Sequence, residues 1–364
     1  MGNLKNKFKS QNLHFLSLAF EKARINLGST KSNPSVGCVV EKDGAVISSA
    51  CTSINGRPHA EFNALNKNID FKNSSVYVTL EPCSHYGMTP PCTNLIIKKK
   101  VKRVFYSFTD IDKRSKNKSK NILKKENILI KGSLLKSYGQ NFYKSYYLKD
   151  RNELPLTDAK IAVSRDYFTK NKKNKHITNH YSRNRSHLIR SMYDCIISTS
   201  KSINDDNSML NCRIDGLENK SPDLAIIDRK LKIKKNLRIF KKIKNRKVLL
   251  FTCSNNIKKI SYLKKRGLII FSLSSLKTKD DFKKLLFILK NRGYSRIFVE
   301  TGLTLLNFLI KNKLLNNIYL FKTKNSLKKL GINYSKTKLI KKINLKNLIN
   351  VYLYGDKLYK EKLK

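Results

Sequence analysis

The chain has 364 residues, too many for one typical domain and comfortable for two. Lysine and arginine number 77 against 25 aspartates and glutamates, a formal net charge of +52. No apolar stretch follows Met1 and no uncharged run approaches the ~18 residues of a membrane span, so neither a signal peptide nor a membrane helix is expected, and the protein is placed in the cytoplasm.

Residues 13–27 carry apolar side chains at helical spacing and run into a turn at Gly28 to Pro34. Residues 36–40 and 45–47 read as a hairpin around Lys42-Asp43-Gly44. A helix is predicted over 59–66, a strand over 76–80, a helix over 93–99 and a strand over 101–108. The basic, Asn/Ser-rich stretch 113–120 reads as a mobile loop, followed by a strand at 128–130 and a helix over 134–147. This order makes a small three-layer α/β domain. A polar break at 150–157, containing Pro155, divides the chain into domains 1–150 and 151–364. In the second, strands are predicted at 159–164, 195–197, 224–227, 248–253, 268–271, 297–300, 318–321 and 351–354. Helices are predicted over 183–191, near 281–290 and from Leu303. That alternation describes a second α/β domain with a mostly parallel sheet.

Chemistry concentrates in the first domain. His59-Ala60-Glu61 is followed by Cys83 after Pro82 and Cys92 after Pro90-Pro91. One imidazole and two thiolates are three zinc ligands, leaving a fourth position for water. Glu61 lies about 200° round a helix from His59, badly placed as a second ligand but well placed as the proton carrier for that water. Such a set resembles the zinc-dependent nucleobase and nucleotide deaminases.

Most of that superfamily separates its cysteines by two residues, whereas eight separate Cys83 from Cys92. The string from Glu81 to Cys92, Asn33-Pro-Ser-Val-Gly-Cys38 and Gly56-Arg-Pro-His-Ala-Glu61 resemble the bifunctional riboflavin-biosynthesis deaminase/reductase family. The resemblance implies a cytidine-deaminase-like domain that removes the 2-amino group of 2,5-diamino-6-ribosylamino-4(3H)-pyrimidinone 5′-phosphate. It also implies a dihydrofolate-reductase-like domain that uses NADPH to reduce the ribose to ribityl. By resemblance His59, Cys83 and Cys92 hold zinc and Glu61 is catalytic. Asn33 contacts the pyrimidine, and the loop with His85 and Thr89 closes over it. In the second domain Arg190, Leu210, Arg213 and Glu300 fall to the substrate, with both arginines forking its 5′-phosphate. Val163, His176, Ser202, Asp206 and Gly302 fall to the cofactor, and Asp206 also orients the sugar.

The second domain departs from the family pattern in places. Ser164-Arg165-Asp166-Tyr167 stands for Ser-Leu-Asp-Gly, His176 for tryptophan, and Thr199 and Lys201 for two glycines where backbone approaches cofactor. These departures leave open a second reading, a deaminase whose other domain serves dimerisation or channelling. A third reading, a nucleic-acid deaminase, is prompted by the charge. The excess is spread over 113–125, 229–247 and 357–364 alike rather than concentrated on one face, so nucleic acid is not the expected partner. The expected partners are a phosphorylated pyrimidine, which the positive field favours, and a second copy of the chain in a homodimer. The seven cysteines are odd in number and lie partly in apolar strands, which argues for reduced thiols.

Overall fold

The computed structural model describes residues 2–150, 153–174 and 176–363. They form two compact units, Met1–Asn152 and Glu153–Lys364. The first contains α1 (Gly2–Ile25), β1 (Gly37–Lys42), β2 (Ala45–Cys51), α2 (Ala60–Leu65), β3 (Ser75–Leu80), α3 (Cys92–Lys98), β4 (Arg103–Phe108), α4 (Lys118–Lys125), β5 (Leu129–Lys131), α5 (Lys136–Phe142) and α6 (Lys144–Asp150). Its sheet runs β2-β1-β3-β4-β5, with β1 antiparallel to both neighbours and β3, β4 and β5 parallel.

Period-2 alternation sends one set of sheet residues to each helical layer. Tyr77 and Phe105 stack at 5.0 Å and meet Phe15 of α1, while Phe20 of α1 meets Tyr138 and Phe142 of α5 and its C-terminal turn. A Cβ at Gly37 would overlap the Ala19 carbonyl, so glycine is what lets α1 lie directly on β1. Helices α2, α3 and α4 follow one another as neighbours, and Ala64, Leu65, Ile96 and Leu123 are buried in the same core.

Two sequence expectations change in this unit. Residues 113–120 are not a free loop: a turn leads into α4, with Ser115 and Ser119 fully buried. Glu81 explains the order, since its carboxylate accepts from the backbone of Asp110 and Asn117 and from Ser119 Oγ at 2.7 Å. The helix expected over 134–147 is broken at Tyr143, whose ring turns inward so that its hydroxyl meets Thr79 Oγ1 at 2.5 Å.

The second unit contains β6 (Leu156–Val163), β7 (Lys170–Asn171), α7 (His180–Arg190), β8 (Cys195–Thr199), α8 (Ser200–Asp206), β9 (Asp223–Ile227), β10 (Val248–Thr252), α9 (Ile257–Lys265), β11 (Leu268–Ser272), α10 (Lys279–Asn291), β12 (Arg296–Glu300), α11 (Leu303–Lys311), β13 (Asn317–Lys322), β14 (Gly331–Ile332), α12 (Lys338–Lys341) and β15 (Lys357–Lys362). Its main sheet runs β11-β10-β9-β8-β12-β6-β13-β15 and is parallel except for β15. Both faces are covered, as a parallel sheet requires. Leucines of α10 and α11 pack on Ile161, Ile197 and Val299, and residues of α7, α8 and α9 pack on Ile196, Ile226 and Phe298.

The expected last strand, 351–354, is irregular, with Tyr352 and Tyr354 exposed. The edge is instead β15, written largely in lysines. Its buried positions are Leu358 and Glu361, the latter accepting from the backbone of Lys346 and Asn347. A charged strand of this kind has no apolar alternation to detect.

Candidate functional site

In the first unit β3 ends at Leu80, and Glu81-Pro82 carry the chain to Cys83. His59 is the N-cap of α2 with extended backbone, and its side chain caps nothing, which leaves the ring for other work. Cys92 is the first residue of α3 behind Pro91, so its backbone N–H is not used within the helix and donates to Cys83 Sγ at 3.2 Å. His59 Nδ1 lies 3.6 Å from each sulfur, and all three ligand atoms lie within 4.8 Å of one another. A tetrahedral zinc with bonds of ~2.0 Å to nitrogen and ~2.3 Å to sulfur places N and S about 3.5 Å apart. The triangle has the dimensions of that shell.

Its electrostatics agree. The thiol of Cys92, and then the His59 imidazole, lower Cys83 to about 4, while Cys92 is raised well above its ordinary value by the Cys83 sulfur and by burial. Two thiolates this close to each other need a cation to share. Glu61, 4% exposed, is raised to about 7 by burial first and then by the Cys83 charge. A carboxyl in that range takes and returns a proton near neutral pH.

The surrounding loops are held by side chains the sequence analysis named and one it passed over. Asn33 Nδ2 donates to the Gly56 carbonyl at 2.8 Å, where Gly56 has φ +89°, so Asn33 shapes the approach to His59. Ser115 Oγ meets His85 Nδ1 at 2.7 Å, and Arg57 Nη1 donates to Thr89 Oγ1 at 2.8 Å. Arg57 was quoted within a motif but given no role. It also lies near enough to His59 to oppose that ring's protonation.

The second unit holds a cleft of about 1000 Å³ at the C-terminal ends of β6, β8, β9 and β12, where parallel α/β sheets bind ligands. His176, Arg190, Ser202, Asp206, Leu210, Arg213, Glu300 and Gly302 all line it. Val163 does not. Its side chain is fully buried in the core and its carbonyl accepts from Thr323, while Ala162, pointing to the other face, lines the cleft.

At the floor Glu300 receives a forked pair from Arg190 Nε and Nη2, and Lys160 Nζ stands 3.8 Å from the same carboxylate. Burial opposes its charge, but Arg190 and then Lys160 outweigh that and hold Glu300 at about 2. Arg190, expected to fork a phosphate, meets protein partners in this structure. Its guanidinium is already forked onto Glu300, with Nη1 on the Asn211 carbonyl. Lys160 was missed, although a lysine inside the otherwise apolar run 159–163 of a strand covered on both faces is a detectable anomaly.

The two strand ends that meet the cofactor side differ. Thr199 Oγ1 accepts from the Ser202 backbone at 3.2 Å, so α8 is capped from within by the residue that replaces a glycine. Gly302 caps α11 without a side chain and a Cβ there would meet nothing within 4 Å, so that helix end presents its N–H groups to the cleft. Beside it, Thr301 Oγ1 is buried without a partner among the described residues.

Comparison with known proteins follows the same division. Residues 9–108 match the model of the cytidine and deoxycytidylate deaminase zinc-binding region, and residues 158–323 that of the RibD C-terminal domain. The riboflavin biosynthesis protein RibD of Bacillus amyloliquefaciens is 30% identical over 292 residues, covering 79% of this chain and 78% of the relative. That of Actinobacillus pleuropneumoniae is 27% identical over 320 residues, covering 87% and 85%. Among solved structures, Acinetobacter baumannii RibD superposes with a TM-score of 0.78 at 24% identity over 97% of this chain and 98% of that one. A deaminase/reductase of Thermotoga maritima gives 0.79 at 23% over 98% and 99%, so the fold is shared end to end. With a relative 30% identical over more than three-quarters of both chains, and both models matched in order, the chain belongs to the RibD family of riboflavin biosynthesis proteins.

Proposed function

We propose that the first unit hydrolytically deaminates 2,5-diamino-6-ribosylamino-4(3H)-pyrimidinone 5′-phosphate and the second reduces the ribose of the product to ribityl with NADPH, two steps of riboflavin biosynthesis. The observation that carries the reading is the triangle of His59 Nδ1 and the two sulfurs at 3.6 Å with buried Glu61 beside it. His59, Cys83 and Cys92 hold zinc, which when bound lowers the pKa of a water and polarises it toward the pyrimidine carbon. Glu61 takes that water's proton on its carboxylate and delivers it to the departing amine, so that water is consumed and ammonia leaves. Asn33, His85 and Thr89 border the ring, Asn33 offering Oδ1 because its Nδ2 serves Gly56.

In the second unit NADPH supplies the hydride. Gly302 and the N–H groups of α11, with Ser202 and His176, bind the dinucleotide, and Thr301, whose buried hydroxyl has no partner among the described residues, lines the same cleft. Glu300, kept ionised by Arg190 and Lys160, accepts hydroxyl hydrogens of the sugar and fixes its orientation, with Asp206 alongside. The reading with an inert second domain is not favoured, because the cleft is open and its charged floor is intact despite Thr199 and Lys201. No helix among the described residues is long and apolar enough to cross a membrane, and the seven free thiols suit a reducing, cytoplasmic setting.

The deciding experiment supplies the diamino-pyrimidinone phosphate with and without NADPH and follows ammonia release and NADPH absorbance separately. Ammonia without added NADPH, then one NADPH oxidised per ammonia when it is present, is the expected result. Ammonia release with no NADPH oxidation would reduce the second unit to a non-catalytic role.

A further inference from the structure

The charge on the substrate side of the cleft does not balance. Arg190, Arg213 and Arg238 line the cleft with the carboxylates of Glu300, Asp205 and Asp206, and Asp205 is taken by Lys170 and Lys201. Glu300 is consumed by Arg190 and Lys160. Arg213 donates Nη1 to Asn211 Oδ1 at 2.9 Å, a neutral acceptor. Arg238 donates its backbone N–H to Asn207 Oδ1 at 2.9 Å, and its guanidinium has no hydrogen-bond or ion-pair partner among the described residues.

The Arg238 charge also reaches Arg213. Burial, then Arg190, then Arg238 lower Arg213 from its ordinary value. Both side chains reach solvent, and an anion held between them would relieve the repulsion of like charges in one cleft. Two guanidiniums without a carboxylate partner, one held at Nη1 by Asn211 and the other on backbone that Asn207 fixes, fit a phosphate monoester dianion, which accepts forked, charge-assisted hydrogen bonds on several oxygens.

We infer that Arg238 is a substrate ligand, pairing with Arg213 to bind the 5′-phosphate, the role that Arg190 cannot fill while forked onto Glu300. The inference rests on the reductase reading above. The same chemistry exists on the cofactor's 2′-phosphate; Arg238 goes to the substrate because its charge acts on Arg213, which the reading above gives to the substrate. Sequence reasoning passed over Arg238 because it lies in a short 3-10 helix (Arg238–Asn245) inside the basic run 229–247, where one arginine looks like any other cation.

The test titrates the full-length, zinc-loaded protein with D-ribose 5-phosphate, D-ribose, NADPH and NADH by calorimetry, for wild type, Arg238→Ala, Arg238→Lys and Arg213→Ala. Losing one charge-assisted contact should weaken ribose 5-phosphate about tenfold in Arg238→Ala. Ribose and NADPH affinities should hold, Arg238→Lys should recover part of the loss, and the KM of the reductase step should rise more than its kcat falls. Ribose 5-phosphate binding that Arg238→Ala leaves alone, or an effect on NADPH instead, would overturn the assignment. Should Arg213→Ala lose phosphate binding while Arg238→Ala does not, the reductase reading stands and only this inference fails. Wild type with no preference for ribose 5-phosphate over ribose would sink both.

Discussion

Glu61 is two residues from a metal ligand, in the first turn of α2 and 4% exposed, and the environment that raises its carboxyl is what a proton carrier needs. Replacing it with glutamine keeps the shape and removes the titrating oxygen. We expect Glu61→Gln to lower deamination by about 10²–10⁴, the usual worth of a positioned acid–base group. About one zinc per chain should remain, measured by atomic emission beside ammonia release. Zinc lost together with activity would make Glu61 part of the metal shell instead. At this scale much was legible in the chain. Imidazole and thiolate announce zinc by their chemistry, and proline before each cysteine marks where an element begins or ends. Legibility failed where a residue's role depends on which way it points. Val163 is core although Lys160, Ile161 and Ala162 before it in the same strand all line the cleft. Tyr167, standing where the family has glycine, still adopts φ +68°, with the Lys322 ammonium 4.5 Å from its ring centroid. The backbone kept the turn although the residue changed.

Elements were read well where an apolar period was present: β1, β3, β4 and the parallel strands of the second unit fall close to their predicted places, while α1 ends near its predicted end but begins at Gly2 rather than at residue 13. They were misread where polar contacts make the structure, as in α4, which Glu81 and the buried serines hold down, and β15, which hangs on Glu361. The seam between α7 and the loop bearing Leu210 and Arg213 is of the same kind. His187 on α7 lies buried with Nδ1 2.9 Å from the Asn211 carbonyl, and Arg190, one turn later, bonds that same carbonyl. Burial first, and then the Arg190 charge, lower His187 from 6.5 to about 4. The unfolded chain therefore binds a proton at this residue before the folded chain does. Its contribution is intact above about 6.5 and is lost as pH falls toward about 4. Denaturant unfolding between pH 7 and pH 4 should lose stability along this limb. His187→Asn, which keeps an N–H donor but cannot titrate, should flatten the limb by up to one proton. A variant with an unchanged slope would show that the seam is not where the acid sensitivity lies.

Over the whole molecule the dominant quantity is charge. With +52 on 364 residues, few cations find a carboxylate. Exposed ion pairs among the described residues, such as Arg24 with Glu21 and Lys283 with Asp280, are each worth little. Lysines instead lie over aromatic rings, as Lys99 does over Phe71 and Lys235 over Tyr262. Unmatched charge of one sign destabilises a compact chain through self-repulsion, and expansion on unfolding relieves it. Salt should act in opposite directions on the two kinds of electrostatics present. Screening weakens attractive surface pairs, which lowers stability, and weakens general repulsion, which raises it; the Debye length falls from about 30 Å at 0.01 M to about 10 Å at 0.1 M. Repulsion wins here because the cations outnumber the anions threefold while the exposed pairs are weak. The unfolding temperature of the zinc-loaded protein should therefore climb steeply as sodium chloride rises from low to physiological concentration, then level once neighbouring charges are screened. Substrate phosphate binding should weaken over the same range, because the field that strains the fold is the one that draws the anion in. A melting temperature that falls with added salt would mean that specific pairs, not the net field, govern this molecule.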